Sequence, residues 1–410
     1  MKTLDWLLPG KRGLRRELEK CRSRVATLLK QRDDARKKRD RFKEELKSFR
    51  IAWNRLDDLA CYRYGALNEG INAWERRWES SETRNVLFLT MKDASGSFMK
   101  WAEALNTGSS YAVRQACYRT HGYGYPIDMI LPHPSVEGAI EEIKRLCSEA
   151  DIIHLKWEDL PWDKSFGAVL EIVKNSGKPL VFTHYGGYAR SRLEDPEYIE
   201  SVSQFDARIA MTPDLNPEWF QGEFIPHAVD SERLGVTWRD SGKVAHSPST
   251  AKRKGTEEFL AALKRLDLDV EYEQIQGVSH RECLLRKMNC SLFFDQAGRE
   301  DPNALGVNTI IGWYGNSALE AMVHGIPTIA HLSDVAFQGA ERAGKDIRKK
   351  CPILNTAPTT EGMEQVLRHY FNMSRQERAD LSARTRQWVE DFHSYPQTAR
   401  ELSDLYDQLL

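Results

Sequence analysis

The sequence predicts an α/β protein made of two doubly wound, parallel-sheet domains behind a long helical segment. Three observations carry this. Short buried-strand runs alternate with amphipathic helical stretches from Arg84 onward. A heptad seam occupies the first sixty residues. A glycine-containing loop, a short helix and a buried strand follow one another between Gly312 and Leu332. At 410 residues the chain accommodates two domains of ordinary size plus an appendage. The expected boundaries are a basic helical, coiled-coil segment over 1–80, a first domain over 84–228, a second over 229–394 and a terminal helix over 395–410.

Leu14, Leu18, Cys21, Val25 and Leu28 open the seam at alternating steps of four and three, and Phe42, Leu46, Phe49, Trp53, Leu56 and Ala60 close it. Such a seam predicts a helix with a partner, most simply a homodimer through the coil. Arg32 and Arg39 sit within it and weaken its middle. Residues 1–50 hold 18 Lys/Arg against 8 Asp/Glu, a net charge of plus ten. With the whole chain at minus one, minus eleven remains for the rest. The basic stretch Lys30–Lys47 therefore reads either as a solvated face of the coil or as an arm for a polyanion.

In the first domain, Val86–Thr90 is a buried strand, and the small-residue loop after it, with Ser95 and Gly96, leads into a helix over Phe98–Leu105. Further strands are expected at Ile127–Leu131, Asp151–Leu155, Leu180–Thr183 and Arg208–Met211, with helices over Val136–Ala150 and Trp162–Asn175. His184 ends one strand and His154 ends another. Both positions lie where open α/β sheets bind ligands. Glu223–Asp230 reads as a proline-containing linker between the two expected domains.

In the second domain, Lys243–His246, Val270–Ile275, Ser291–Asp295 and Ile326–His331 are the strands, with helices over Thr256–Leu266, Ser279–Met288 and Asn316–His324. After the first strand come Ser247, Pro248 and Ser249, the cations Lys252, Arg253 and Lys254, and Gly255-Thr256 opening a helix, an arrangement that supplies charge for a phosphate. Some sixty residues later, Gly315 allows close main-chain approach. Asn316 or Ser317 caps the short helix, and Glu320 projects a carboxylate one turn further in. Asp295 ends a strand beside this loop, as a ligand contact or as a turn former.

Together these two stretches resemble the nucleotide-binding domain of GT-B glycosyltransferases, in particular the large retaining family four. The resemblance spans about Lys243 to Ala330. It implies a GT-B fold, two Rossmann-like domains facing a cleft, with the last helix returning to the first domain. It also implies transfer of a hexose from a nucleotide diphosphate sugar to an acceptor hydroxyl, with retention and with no cofactor or metal beyond the donor. Carried over residue by residue, Lys254 clamps the diphosphate, Glu320 meets the ribose and His184 positions the sugar. Ser249, Lys252, Asp295, Gly315, Asn316 and Ser317 complete the donor site, and Ser95 with Gly96 faces the acceptor. The family often has a glutamate eight residues before the equivalent of Glu320, where this chain has Gly312. The acceptor is left open between a hydroxymethylated DNA base and a cell-surface glycan. The competing reading is a catalytically inactive, glycosyltransferase-like scaffold on a coiled coil.

Composition excludes other classes. Hydrophobic content of 41% and charged content of 29% describe a globular protein, and no apolar run approaches the length of a membrane span. The apolar residues before Lys11 are too few for a signal-peptide core. Seven cysteines without a Cys-x-x-Cys pair suggest neither a disulfide framework nor a zinc ribbon, so the expectation is a reduced, cytoplasmic protein.

Overall fold

In the computed structural model, residues 67–121, 123–156, 166–267, 270–297 and 312–410 are described, together with residue 24. The chain divides into two units, 1–54 and 55–410, and both sheets belong to the second. The expected heptad seam and the basic arm at 30–47 lie outside the described residues.

The first sheet is built around β1 (Arg84–Lys92), whose six central residues are buried. With β2 (Tyr111–Arg119), β3 (Met129–Ile130), β4 (Ile152–Lys156), β5 (Leu180–His184), β6 (Ala207–Ala210) and β7 (Glu223–Phe224) it forms seven strands in the order β3-β2-β1-β4-β5-β6-β7, every pair parallel. Both faces are covered, which is why β1 reads as a continuous apolar run. Leu87 and Leu89 pack toward α3 (Ala139–Glu149) and α4 (Gly167–Lys174), whereas Val86 and Phe88 pack toward α2 (Ser97–Gly108). Helix α1 (Leu67–Trp78) precedes the sheet, and α5 (Gly186–Arg190) and α6 (Pro196–Ser203) follow β5.

Strand β2 is absent from the sequence expectations because Arg114 and Gln115 interrupt its apolar pattern. In the fold both are buried, and Asp128 accepts from the side chain of the first and the main chain of the second. The Arg114 guanidinium donates to Asp128 at 2.8 and 3.0 Å, and the Gln115 amide N–H donates to the same carboxylate at 2.9 Å. The strand expected at Ile127–Leu131 correspondingly shortens to β3, as Asp128 is committed to this pairing.

The second sheet has five parallel strands in the order β12-β11-β10-β8-β9: β8 (Lys243–His246), β9 (Glu271–Gln274), β10 (Leu292–Gln296), β11 (Thr328–Ala330) and β12 (Leu354–Asn355). Its helices are α7 (Ala251–Lys254), α8 (Thr256–Leu266), α9 (His280–Lys287), α10 (Asn316–Met322), α11 (Asp334–Arg342), α12 (Thr360–Asn372) and α13 (Arg375–Phe392). Strand order reverses between β1 and β4 in one sheet and between β8 and β10 in the other, the positions at which open sheets leave a ligand crevice.

The chain crosses between the sheets twice, side by side. The Val229 N–H donates to the His393 carbonyl at 2.9 Å, and Val229 pairs with Ser394. The final helix, α14 (Tyr395–Asp407), then lies on α2 of the first half. Leu402, Leu405 and Tyr406 share a core with Trp101, Leu105 and Tyr111, and the Tyr111 hydroxyl donates to Asp407 at 2.6 Å. A second junction joins α11 to the turn at Pro213–Leu215, where a Cβ on Gly339 would fall 1.9 Å from the Pro213 carbonyl oxygen. Among the described residues no helix is long and apolar enough to cross a membrane.

Candidate active site

The carboxyl ends of both sheets open on one cleft of about 410 Å³, lined from both halves. On the second-half side, the end of β10 and the loop Trp313–Gly315 bring the predicted donor residues together. The amide of Gly315 donates to Asp295 at 2.7 Å, so this buried carboxylate fixes the loop from behind and does not line the cleft. That corrects the expectation of Asp295 as a ligand contact. The neighbouring Gln296 accepts from Lys254 Nζ and donates to the Trp313 carbonyl at 2.5 Å, which holds the lysine at the cleft wall. Burial lowers the Lys254 pKa, with Asp295 opposing and Arg190 reinforcing the shift.

Helix α10 spans only Asn316–Met322, and its N-cap is Gly315, with no side-chain capping hydrogen bond. Neither Asn316 nor Ser317 caps it, because both side chains are committed elsewhere. Asn316 bridges the halves: its Oδ1 accepts from Lys100 at 2.8 Å, and its Nδ2 donates to the Ser95 carbonyl at 3.1 Å and to Glu320 at 3.2 Å. Ser317 Oγ meets Ser247 Oγ at 2.7 Å and accepts from Lys287 at 2.8 Å.

Glu320 is buried at the cleft edge within a cationic group. Its Oε1 accepts from His280 Nε2 and its Oε2 from Lys287 Nζ, each at 2.7 Å, and Lys100 stands 4.0 Å away. Burial alone would push its pKa up, but Lys287, His280 and Lys100 hold it well below the usual carboxylate range. The reverse holds for Lys287, where burial is outweighed by Glu320 and the pKa rises. With three hydrogen-bond donors, His280, Lys287 and Asn316, on a group that offers about four acceptor sites, the carboxylate keeps roughly one for a ligand.

The first half presents aromatic and small residues. Ser95 (φ 64°) and Gly96 (φ 60°) make a left-handed pair before α2, and Ser95 Oγ meets the Tyr185 hydroxyl at 3.0 Å. Tyr125 packs against His280 at 4.4 Å between ring centres, and the His280 amide donates to the Tyr123 carbonyl at 3.3 Å, a contact that spans the cleft. Arg190 also lines the cleft, paired with Asp214 at 2.5 and 3.1 Å.

Three further predicted residues are placed otherwise than expected. His184 is fully buried on the far side of its strand, stacked on Phe220 at 3.9 Å with Nδ1 donating to the Leu215 carbonyl at 2.9 Å, and it does not line the cleft. Burial brings its pKa down to about 4. The alternation of a strand explains this: the last residue of β5 points into the core, and the next, Tyr185, faces the cleft. His154 is likewise buried, held by Tyr406 at 2.7 Å and Thr183 at 2.6 Å. Lys252 is exposed and outside the lining, whereas Arg253, Lys254 and Ser249 are in it. Lys287, Lys100, His280 and Tyr125 are the members that sequence reasoning missed. A lysine ending α9 looks like an ordinary helix-terminal charge, and nothing local marks it as buried.

Gly312 has no room for a side chain in this arrangement: an added Cβ would lie 2.0 Å from Ser333 Oγ and 2.6 Å from its Cβ. Among the described residues no group of three or more His, Cys, Asp or Glu is placed to hold a metal ion.

No protein-family model and no curated protein sequence matches this chain. Solved structures do. An α-glucosyltransferase in complex with UDP-glucose and DNA containing an abasic site superposes with TM-score 0.56 and 10% identity, covering 78% of this chain and 98% of its own. A glycosyltransferase from Rickettsia africae ESF-5 gives 0.52 and 9%, covering 80% and 99%. The N-terminal domain of trehalose-6-phosphate phosphatase from Candida albicans gives 0.50 and 12%, covering 80% and 97%. At these identities the likeness concerns the fold: two parallel-sheet α/β domains arranged as in the GT-B glycosyltransferases.

Proposed function

We propose that this chain transfers a glycosyl group from a nucleotide diphosphate sugar to an acceptor hydroxyl, with retention of configuration. The observation that carries the reading is the charge imbalance of the cleft. Five cations, Lys100, Arg190, Arg253, Lys254 and Lys287, stand in or directly behind its wall against three carboxylates, Asp214, Asp295 and Glu320, leaving an excess of two positive charges. An anion of the charge of a diphosphate balances that excess. Gly315 supports the same reading. Its φ of −100° suits any residue, and a Cβ there would meet Asp295 only at an ordinary 3.6 Å, so the ligand-free fold does not demand glycine. Close approach of a ligand does.

In the proposed reaction a bond forms between the acceptor oxygen and the anomeric carbon while the bond from that carbon to the distal phosphate oxygen breaks. The acceptor proton passes to the departing phosphate. Lys254 and Arg253 stabilise the negative charge that grows on the diphosphate, and the remaining acceptor site of Glu320 holds a ribose hydroxyl. For the acceptor we favour a hydroxymethylated base in DNA over a cell-surface glycan. The net charge of plus ten in residues 1–50 favours a polyanion, and one structural neighbour was solved with DNA as well as UDP-glucose.

The test is label transfer from a panel of nucleotide sugars to duplex DNA containing hydroxymethylcytosine, beside unmodified DNA and free glycans. Transfer only to the modified duplex, lost in Lys254→Met, is expected. Transfer to a glycan alone would overturn the acceptor, and neither transfer nor hydrolysis of any donor would favour the inactive scaffold.

A further inference from the structure

His227 lies two residues before Val229, where the chain makes its double crossing between the halves, and it lines the cleft. Its position is fixed from several directions. Trp101 Nε1 donates to the preceding Pro226 carbonyl at 3.1 Å. The His227 carbonyl accepts from His393 Nδ1 at 2.7 Å, and His393 Nε2 in turn meets the Tyr314 hydroxyl at 2.7 Å, which also accepts from Trp388 at 2.9 Å. Tyr314 precedes Gly315, so the backbone of His227 is tied to the loop at the candidate donor site.

The side chain is treated differently from the backbone. It lines the cleft with only 6% of the residue exposed, and its Nδ1 is buried without a hydrogen-bond partner. The buried histidines His154, His246 and His393 spend both ring nitrogens inside the protein. His184 also keeps one nitrogen unspent, but among aromatic rings and away from the cleft. A polar group left unpaired at the wall of a ligand cleft is costly unless a ligand completes it.

The surroundings indicate which part of a ligand that is. Burial, and then Lys100, Lys156 and Arg190, keep the imidazole deprotonated. A neutral imidazole both donates and accepts one hydrogen bond, which matches a hydroxyl. Phosphate oxygens are better served by the cations on the other wall. Tyr185, also in the cleft lining, stands edge-on to the ring, 6.1 Å between centres.

We infer that His227 binds a hydroxyl of the sugar carried by the donor and so contributes to sugar selection, a role that rests on the donor reading above. The experiment measures calorimetric affinities of the full chain for matched pairs, UDP with UDP-glucose, GDP with GDP-mannose and dTDP with dTDP-glucose, in wild type, His227→Phe and His227→Asn. For the pair that wild type binds, both variants should hold the free diphosphate within about twofold. The ratio of nucleotide-sugar to diphosphate affinity should fall about tenfold in His227→Phe and recover in part in His227→Asn. Equal losses for both ligands would assign His227 a structural role, and an unchanged ratio would remove it from the sugar site. If wild type binds no pair, the donor reading fails and takes this inference with it; if wild type binds and only the ratio is unmoved, the donor reading stands alone.

Discussion

Lys287 and Glu320 form a buried ion pair at the edge of the cleft. The lysine is fully buried and its partner nearly so, and each has its charge stabilised by the other. Removing one member of such a pair leaves an uncompensated buried charge, at a cost of about 3–5 kcal/mol. Lys287→Met should therefore lower the urea midpoint strongly, and the double variant Lys287→Met/Glu320→Leu should recover part of the loss. A single variant as stable as wild type would mean that His280 and Lys100 suffice. The same coupling makes Glu320→Ala a poor probe of ribose binding, since it strands the lysine. Glu320, Lys254 and Ser317 are legible in the sequence because their spacing from Gly255 and Gly315 follows a known pattern. His184 reads as a ligand contact because the pattern places it at a strand end but says nothing of which face it occupies. Lys287 and His280 are invisible because their importance comes from a tertiary approach of α9 to α10 that no local signal records.

At the level of elements, the segment before α10 is constrained by the start of α11. Ser333 caps α11 by accepting from the Ala336 amide at 3.2 Å, and its own amide donates to the Gly312 carbonyl at 3.0 Å. Gly312→Ala forces the Ser333 side chain aside and should cost roughly 1–3 kcal/mol from overpacking and a lost cap. Combining it with Ser333→Ala should cost less than the two changes added. Additive losses would show that Gly312 and Ser333 are not in contact. The glycine is thus a packing requirement of this chain, and a glutamate cannot be restored there by substitution alone. Strand β2 teaches a related lesson about legibility. Sequence pattern reads Arg114 and Gln115 as surface, and only the partner Asp128, thirteen or fourteen residues away, makes them interior.

For the molecule as a whole, the parallel two-sheet plan is legible because alternating buried runs and helices have few topological solutions. The junctions are less so, since Gly339 against Pro213 and His227 against His393 are contacts of high sequence separation. Those interiors also set the acid stability. Burial holds His154, His246 and His393 at about 3 and His184 at about 4, against an ordinary 6.5. Above pH 6.5 they are neutral in both states and contribute no pH dependence. Below it the unfolded chain binds protons that the folded chain does not, and each group removes up to about 1.4 kcal/mol per pH unit until its folded pKa is reached. The melting temperature should be level between pH 7 and 8 and fall steeply from 6.5 toward 4.5. A flat profile over that range would mean that these rings are not buried as described. The most direct test of the central claim is a melting series of wild type and Lys254→Met with nucleoside diphosphates and their sugars. One base should raise the wild-type melting temperature, with about 2.7 kcal/mol expected at a hundred times the dissociation constant, and the variant should lose the shift. No shift with any nucleotide, or one equally large in Lys254→Met, would contradict a donor site at this cleft.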